Sequence, residues 1–147
     1  MTVRWSEFEK RAPRLAKAFR ERTEGKTIVV GTIRRDGTPR ISPIGFEFAY
    51  GEIWMGMMWR THKALDLLRD PRVLLHNAVT SDKDGEVKLR GRAVEINTKS
   101  RRERYRSLLR KRYGWAPEEP FHLFTVDIEH AALVTFGPRG LSAKTWP

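Results

Sequence analysis

The sequence contains no cysteine among its 147 residues. This absence excludes a disulfide framework, a thiol nucleophile and any metal site built on thiolates. No apolar run approaches the roughly 20 residues that a membrane-spanning helix needs. The first ten residues, MTVRWSEFEK, are too charged for a secretory signal peptide. These absences lead us to expect a cytoplasmic protein with no membrane partner.

Acidic residues are few compared with basic ones. The chain has 29 Lys and Arg against 18 Asp and Glu, and its formal net charge is +11, spread over its whole length. Such a charge favours an anionic partner, which could be a phosphate, a polycarboxylate or a nucleic acid. A basic nucleic-acid-binding barrel is therefore one alternative. The chain lacks the regular stacking aromatics of single-strand binders, so we do not expect nucleic acid to be the partner.

Hydrophobic spacing predicts one N-terminal helix over about residues 4–22. Its large apolar residues recur every three or four positions and so share one face. The members of this stripe are Trp5, Phe8, Ala12, Leu15 and Phe19. The stripe indicates packing against the core or against a second subunit.

The rest of the chain is dominated by alternating runs typical of strands. The predicted strands are residues 27–34, a hairpin after Pro39 that turns at Tyr50-Gly51, and then 73–79, 86–96, 121–136 and 141–146. Residues 73–79 are almost continuously apolar, which favours a buried strand. Joined by mostly tight turns, these strands predict a mainly β fold. We expect one domain over residues 1–147, a six- to seven-stranded antiparallel barrel with α-helices.

Two further helices are predicted from their end signals. One follows Thr61, a candidate N-cap, and ends at Asp70-Pro71. The other covers 97–113, with a capping box of Ser100 and Glu103 and with Gly114 beyond its end.

Lys63 lies on the first turn of the helix that follows Thr61. Free backbone N–H groups and the helix dipole make such a position suitable for an anion, most naturally a phosphate. The alternative is a solvated lysine with no ligand.

Four segments, taken in order, resemble one known family. They are TIVVGTIRRDGTPRISPIGFEF, GEIWMGMMWRTHKALDLLRDPRVLL, KLRGRAVEI and the C-terminal KTWP. This order and spacing resemble the pyridoxamine 5′-phosphate oxidase-like, FMN-binding split-barrel family of flavin and deazaflavin oxidoreductases. The resemblance implies an antiparallel split barrel that forms a homodimer. It also implies FMN in a cleft between the subunits and hydride transfer to or from a small organic substrate.

The resemblance further implies which residues contact the cofactor. They fall on the second strand, at the end of the third, at the helix start that would hold the phosphate, and near the C-terminus: Arg40, Ile41, Ser42, Pro43, Met57, Met58, Trp59, Thr61, His62, Lys63, Lys144 and Trp146. No catalytic acid or base and no metal-ligand spacing stands out, which fits an enzyme whose cofactor carries the chemistry.

Two departures from the family pattern leave the activity open. His62 stands where the true oxidases carry arginine, and the Arg-rich substrate tail of those oxidases is missing. We therefore do not expect oxidation of pyridoxamine phosphate. One alternative is a reductase of the same superfamily that uses the deazaflavin F420, whose polyglutamate tail would suit the basic surface. Another is a flavin-binding protein without turnover.

Overall fold

The computed structural model describes residues 1–147 and is built mainly of β-strands. The strands are β1 (Ile28–Ile33), β2 (Pro39–Ile44), β3 (Glu47–Ala49), β4 (Glu52–Met58), β5 (Arg72–His76), β6 (Glu86–Glu95), β7 (Phe121–Gly137) and β8 (Gly140–Trp146). The helices are α1 (Trp5–Arg11), α2 (Pro13–Thr23), α3 (His62–Arg69) and α4 (Lys99–Tyr113). None of the helices is long and apolar enough to cross a bilayer.

All eight strands belong to one antiparallel sheet. Its order is β2-β1-β5-β6-β7-β4-β3, and β8 pairs with β7 beside this path. No ladder joins β2 to β3, so the barrel stays open between them. The predicted mainly β barrel is confirmed, whereas the predicted strand number of six to seven is too low.

The additional strand arises because the first arm of the expected hairpin is two strands. β2 ends at Ile44 and pairs with β1, while β3 starts at Glu47 and pairs with β4. The turn between β3 and β4 is at Tyr50-Gly51 as predicted. Both of its residues have positive φ, 52° and 74°, as a two-residue hairpin turn of type I′ requires.

The predicted N-terminal helix is two helices, because Pro13 interrupts it. Proline has no N–H and clashes with the preceding turn, so α1 ends before it and α2 begins with it. The apolar stripe is core. Trp5, Phe8 and Phe19 are almost completely buried within the chain, and the Trp5 and Phe48 rings lie 4.7 Å apart. These side chains are therefore not free for a subunit contact.

The central strands show which face of the sheet is covered. β6 alternates as predicted, with Val87, Leu89 and Ala93 inside. β5 also alternates, so the prediction of a buried strand is wrong for one of its faces: Leu74 is 40% exposed. The exposed side chain of Leu74 leaves apolar surface of β5 in contact with solvent.

The helix ends differ from the predicted caps. Thr61 precedes α3 but makes no capping hydrogen bond, and the capping box on α4 is wrong because Thr98 occupies the N-cap. The Glu103 carboxylate instead accepts a hydrogen bond from Arg106. Gly114 ends α4 in the left-handed conformation, as predicted.

Candidate functional site

The turn that connects β4 to α3 leaves the start of that helix uncapped. The Thr61 N–H and hydroxyl both donate to the Met58 carbonyl, at 3.3 and 3.1 Å. The first α-helical bond runs from Leu65 N–H to the Thr61 carbonyl, at 3.0 Å. The N–H groups of His62, Lys63 and Ala64 therefore have no acceptor within the helix. With the helix dipole they form a suitable site for an anion.

Lys63 connects this helix start to β2. Its ammonium donates to the Pro43 carbonyl at 3.0 Å, which leaves two of its three N–H donors for another partner. Partial burial lowers the Lys63 pKa from its ordinary value. His62, on the same turn, is exposed to solvent. The structure thus brings together His62, Lys63 and Pro43, three of the residues predicted to contact the cofactor.

One turn further along α3, a buried carboxylate binds Arg40. Asp66 accepts hydrogen bonds from Thr32 Oγ1 at 2.8 Å, Arg40 Nε at 2.7 Å and Arg69 Nη2 at 3.0 Å. Burial acts to raise the Asp66 pKa, but the bonds from Arg40, Thr32 and Arg69 outweigh it and hold the pKa below its ordinary value. Sequence reasoning missed Asp66. The available signal was a carboxylate between Ala64 and Leu67 on the apolar face of α3.

The other predicted residues of β2 follow the alternation of an edge strand. Ile41 is 76% exposed, Pro43 is exposed, and Ser42 is half-buried. Ile41 borders a cleft of about 480 Å³ on the outer face of the sheet. The same cleft is lined by Leu74 and by four basic residues, Arg40, Arg72, Arg90 and Arg92. It therefore combines apolar and cationic surface.

The three predicted residues at the end of β4 do not share one environment. Met57 is only 3% exposed and belongs to the core, whereas Met58 is 78% exposed and Trp59 is 53% exposed. Strand alternation explains the difference between Met57 and Met58, because adjacent side chains point to opposite faces, whereas Trp59 lies in the turn after β4. Met58 and Trp59 line a second cleft, of about 540 Å³, together with Tyr105 and Trp115. Met57 also borders this cleft, but its side chain is buried in the core.

A histidine outside the predicted set holds the turn before α3. His122, buried on β7, accepts a hydrogen bond from Arg60 N–H at its Nε2, at 3.0 Å. Its ring also stacks on Trp59, with centroids 4.5 Å apart and planes 12° apart. Arg60 has φ +58°, a conformation that costs a non-glycine residue roughly 1–2 kcal/mol. The four histidines are scattered along the sequence, and nothing in the local sequence of His122 indicates this contact.

The two C-terminal candidates lie elsewhere in the protomer. Trp146 pairs with Ala131 and packs against Phe8, with ring centroids 5.2 Å apart. Met58 pairs with Phe121, at the other end of β7. Ten positions of β7 separate the two pairs, about 33 Å along an extended strand. Within one protomer, Trp146 and its exposed neighbour Lys144 are therefore not brought to the start of α3.

Comparison with known proteins identifies the family. The sequence model of a family described as pyridoxamine 5′-phosphate oxidase matches residues 15–135. The chain belongs to the pyridoxamine 5′-phosphate oxidase family. This membership agrees with the eight-stranded antiparallel architecture and with the family resemblance of the four sequence segments. No curated protein resembles this family member closely enough in sequence to count as a match.

Solved structures of the same fold are distant in sequence. A putative pyridoxamine 5′-phosphate oxidase from Listeria innocua matches with a TM-score of 0.67 and 15% identity, over 82% of this chain and 95% of that one. A protein from Clostridium acetobutylicum related to general stress protein 26 matches with a TM-score of 0.67 and 16% identity, over 96% and 94%. A heme binding protein from Mycobacterium smegmatis matches with a TM-score of 0.66 and 15% identity, over 89% of this chain but 56% of that one. At these identities the likeness concerns the split-barrel fold alone.

Proposed function

We propose that this member of the pyridoxamine 5′-phosphate oxidase family is a flavin-dependent oxidoreductase. It binds FMN between the subunits of a homodimer and transfers hydride to or from a small organic substrate. The observation that carries this proposal is the start of α3. There, three backbone N–H groups without an intrahelical acceptor lie beside Lys63, which keeps two free donors.

The residues present fit the phosphate and the ring of a flavin nucleotide. A phosphate at the start of α3 would accept bonds from the backbone N–H groups and from Lys63, with exposed His62 on the same turn. Met58 and Trp59, just before this turn, offer exposed apolar surface for a planar ring. FMN would supply the hydride chemistry, while the chain binds and orients it.

F420 is the second candidate cofactor, and a specific surface favours it. Arg72, Arg90 and Arg92 line the cleft beside Ile41. Such a group of arginines would suit the carboxylates of a polyglutamate tail. Arg90 and Arg92 each lie near Glu129, at 3.8 and 3.7 Å, so part of their charge is already balanced.

The proposal is tested by adding FMN, F420 and heme separately to the purified protein. Binding is followed by flavin fluorescence and by heme absorbance. We expect saturable binding of FMN or F420, and then reduction of the bound cofactor by a hydride donor. Cofactor binding without reduction by any donor would support a carrier role instead. Saturable binding of heme with none of either flavin would overturn the proposal.

A further inference from the structure

The His122 side chain contacts both residues of the turn that leads into α3. Its ring lies against Trp59, and its Nε2 accepts the Arg60 N–H. A backbone N–H can only donate, so this nitrogen must be unprotonated and the neutral ring carries its proton on Nδ1. The hydrogen bond therefore exists only in the neutral form of His122.

We infer that His122 is a positioning residue for the start of α3. In its neutral form it holds the Trp59-Arg60 turn, and its protonation releases that turn. An effect of His122 protonation on cofactor binding rests on the function proposed above. The release of the turn itself does not depend on that function.

The release follows from the geometry of the turn. A protonated imidazole carries N–H on both nitrogens, so Nε2–H would face the Arg60 N–H, donor against donor. Arg60 has positive φ, and this strained residue depends on its contacts to stay in place. The next residue is Thr61, whose carbonyl accepts the first hydrogen bond of α3, from Leu65. A change in the backbone conformation of Arg60 would therefore move Thr61 and reorient the free N–H groups at the start of α3.

The charged groups that act on His122 come from two elements. Glu95 at the end of β6 favours the imidazolium, whereas Arg102 of α4 opposes it. Burial is the largest influence and lowers the His122 pKa, with Glu95 acting against it and Arg102 adding to it. Release of the Trp59-Arg60 turn should therefore begin below the ordinary histidine pKa of about 6.5 and be complete only at lower pH.

The first test uses NMR on the cofactor-free protein. We expect the Nδ1–H tautomer for His122 near pH 8, and amide shifts of Arg60, Thr61 and Leu65 that follow its titration. His122→Gln keeps a neutral acceptor and should abolish this pH response. His122→Phe keeps a ring on Trp59 but no acceptor, and should give the low-pH shifts throughout. His130→Gln, a histidine elsewhere on β7, is the control and should leave the response unchanged. An Nε2–H tautomer, or the same pH response in His122→Gln, would overturn the inference.

The second test measures FMN affinity in a His62→Gln background, so that His62 does not titrate. As pH falls, affinity should drop by roughly three- to tenfold, because one neutral hydrogen bond is lost. Adding His122→Gln should flatten the profile. A flat profile without that substitution would overturn the positioning role. If no variant binds FMN while the amide shifts still follow His122, the proposed cofactor is wrong and the turn assignment stands.

Discussion

Arg40 of β2 donates from Nε to Asp66 Oδ2 of α3, and the two atoms are 2.7 Å apart. The same strand and helix are joined a second time by the bond from Lys63 to the Pro43 carbonyl. Two charged groups thus fix α3 against the edge of the sheet. The orientation of its N-terminus therefore depends on β2 as well as on the turn that precedes it.

Replacing Asp66 with asparagine should destabilise the fold by about 2–4 kcal/mol. The substitution replaces the buried carboxylate with a neutral amide, which leaves Arg40 and Arg69 without their anionic partner. Urea unfolding measures the change in free energy. Asp70→Asn, which affects a more exposed pair with Arg72, is the matched control and should change stability far less.

The Asp66 effect should disappear in acid. Because the Asp66 pKa is lowered on folding, its contribution is complete above the ordinary aspartate value of about 3.9 and is lost as pH falls through the lowered value. Wild type and Asp66→Asn should therefore converge in stability at low pH. A constant difference down to strongly acidic pH would contradict this assignment.

Replacing Lys63 with alanine should weaken FMN binding by about 1.5–3 kcal/mol, the range for a hydrogen bond to a charged group. Fluorescence titration of FMN measures the affinity. Lys111→Ala, an exposed lysine on α4, is the control and should leave the affinity unchanged. Since burial lowers the Lys63 pKa, wild-type affinity should also decline in alkali at a lower pH than the ordinary lysine value of about 10.4. Equal affinities for wild type and Lys63→Ala would remove Lys63 from the site.

His62→Arg should bind FMN more tightly than wild type at neutral pH. A neutral imidazole gives a phosphate one hydrogen bond, whereas arginine gives a permanently charged fork. Binding to wild type should tighten as pH falls, because an imidazolium donates from both ring nitrogens, and His62→Arg should lose this dependence. The pH titrations are best made in a His122→Gln background, because protonation of His122 acts in the opposite direction. Identical pH profiles would show that His62 does not contact the phosphate.

Gly56→Ala should cost about 1–3 kcal/mol of stability, because an added Cβ would collide with the Tyr105 hydroxyl. In a Tyr105→Phe background the same substitution should cost much less. Gly45→Ala is the control, since nothing lies near its added Cβ and its φ is not positive. Urea unfolding of the single and double variants gives their free energies of unfolding and so completes a double-mutant cycle. An unchanged cost in the Tyr105→Phe background would mean that this contact does not set the spacing of β4 and α4.

The protein should be a dimer in solution, with twice the 17.2 kDa mass of the chain. The apolar surface that remains for a subunit contact includes Ile41 and Leu74 on the outer face of the sheet. Ile41→Asp should shift the mass measured by light scattering toward the monomer. Leu141→Asp, on exposed β8, should not. A wild-type monomer at micromolar concentration would contradict the shared cofactor cleft.

Local patterns predicted most of the strands, because alternation and turn residues act over a few positions. The Tyr50-Gly51 hairpin and the end of α4 at Gly114 follow from such signals. Local signals did not predict that the segment after Pro39 is divided into β2 and β3. The division arises because β2 pairs with β1 whereas β3 pairs with β4. Pro13 indicated the break between α1 and α2, because proline is disfavoured inside a helix. The regular apolar stripe nevertheless favoured one continuous helix.

The site was only partly predictable for the same reason. The position of Lys63 on the first turn of α3 was predictable, because the signals for a helix start are local. Asp66 and His122 act through bonds to Arg40 and Arg60, residues 26 and 62 positions away in the chain. No sequence pattern encodes such pairs. The family resemblance gave Met57 a position in a strand but not the face it occupies, and the structure places its side chain in the core.

The length of β7 has a consequence for how a cofactor site could be shared. β4 and β8 pair with opposite ends of this one 17-residue strand. A single cofactor that contacts both Lys63 and Trp146 would therefore have to take them from two different chains. Lys63→Ala and Trp146→Ala homodimers would then each bind the cofactor poorly, and mixing the two kinds of protomer would restore cofactor binding. Each mixed dimer would hold one site with both native residues and one site with neither.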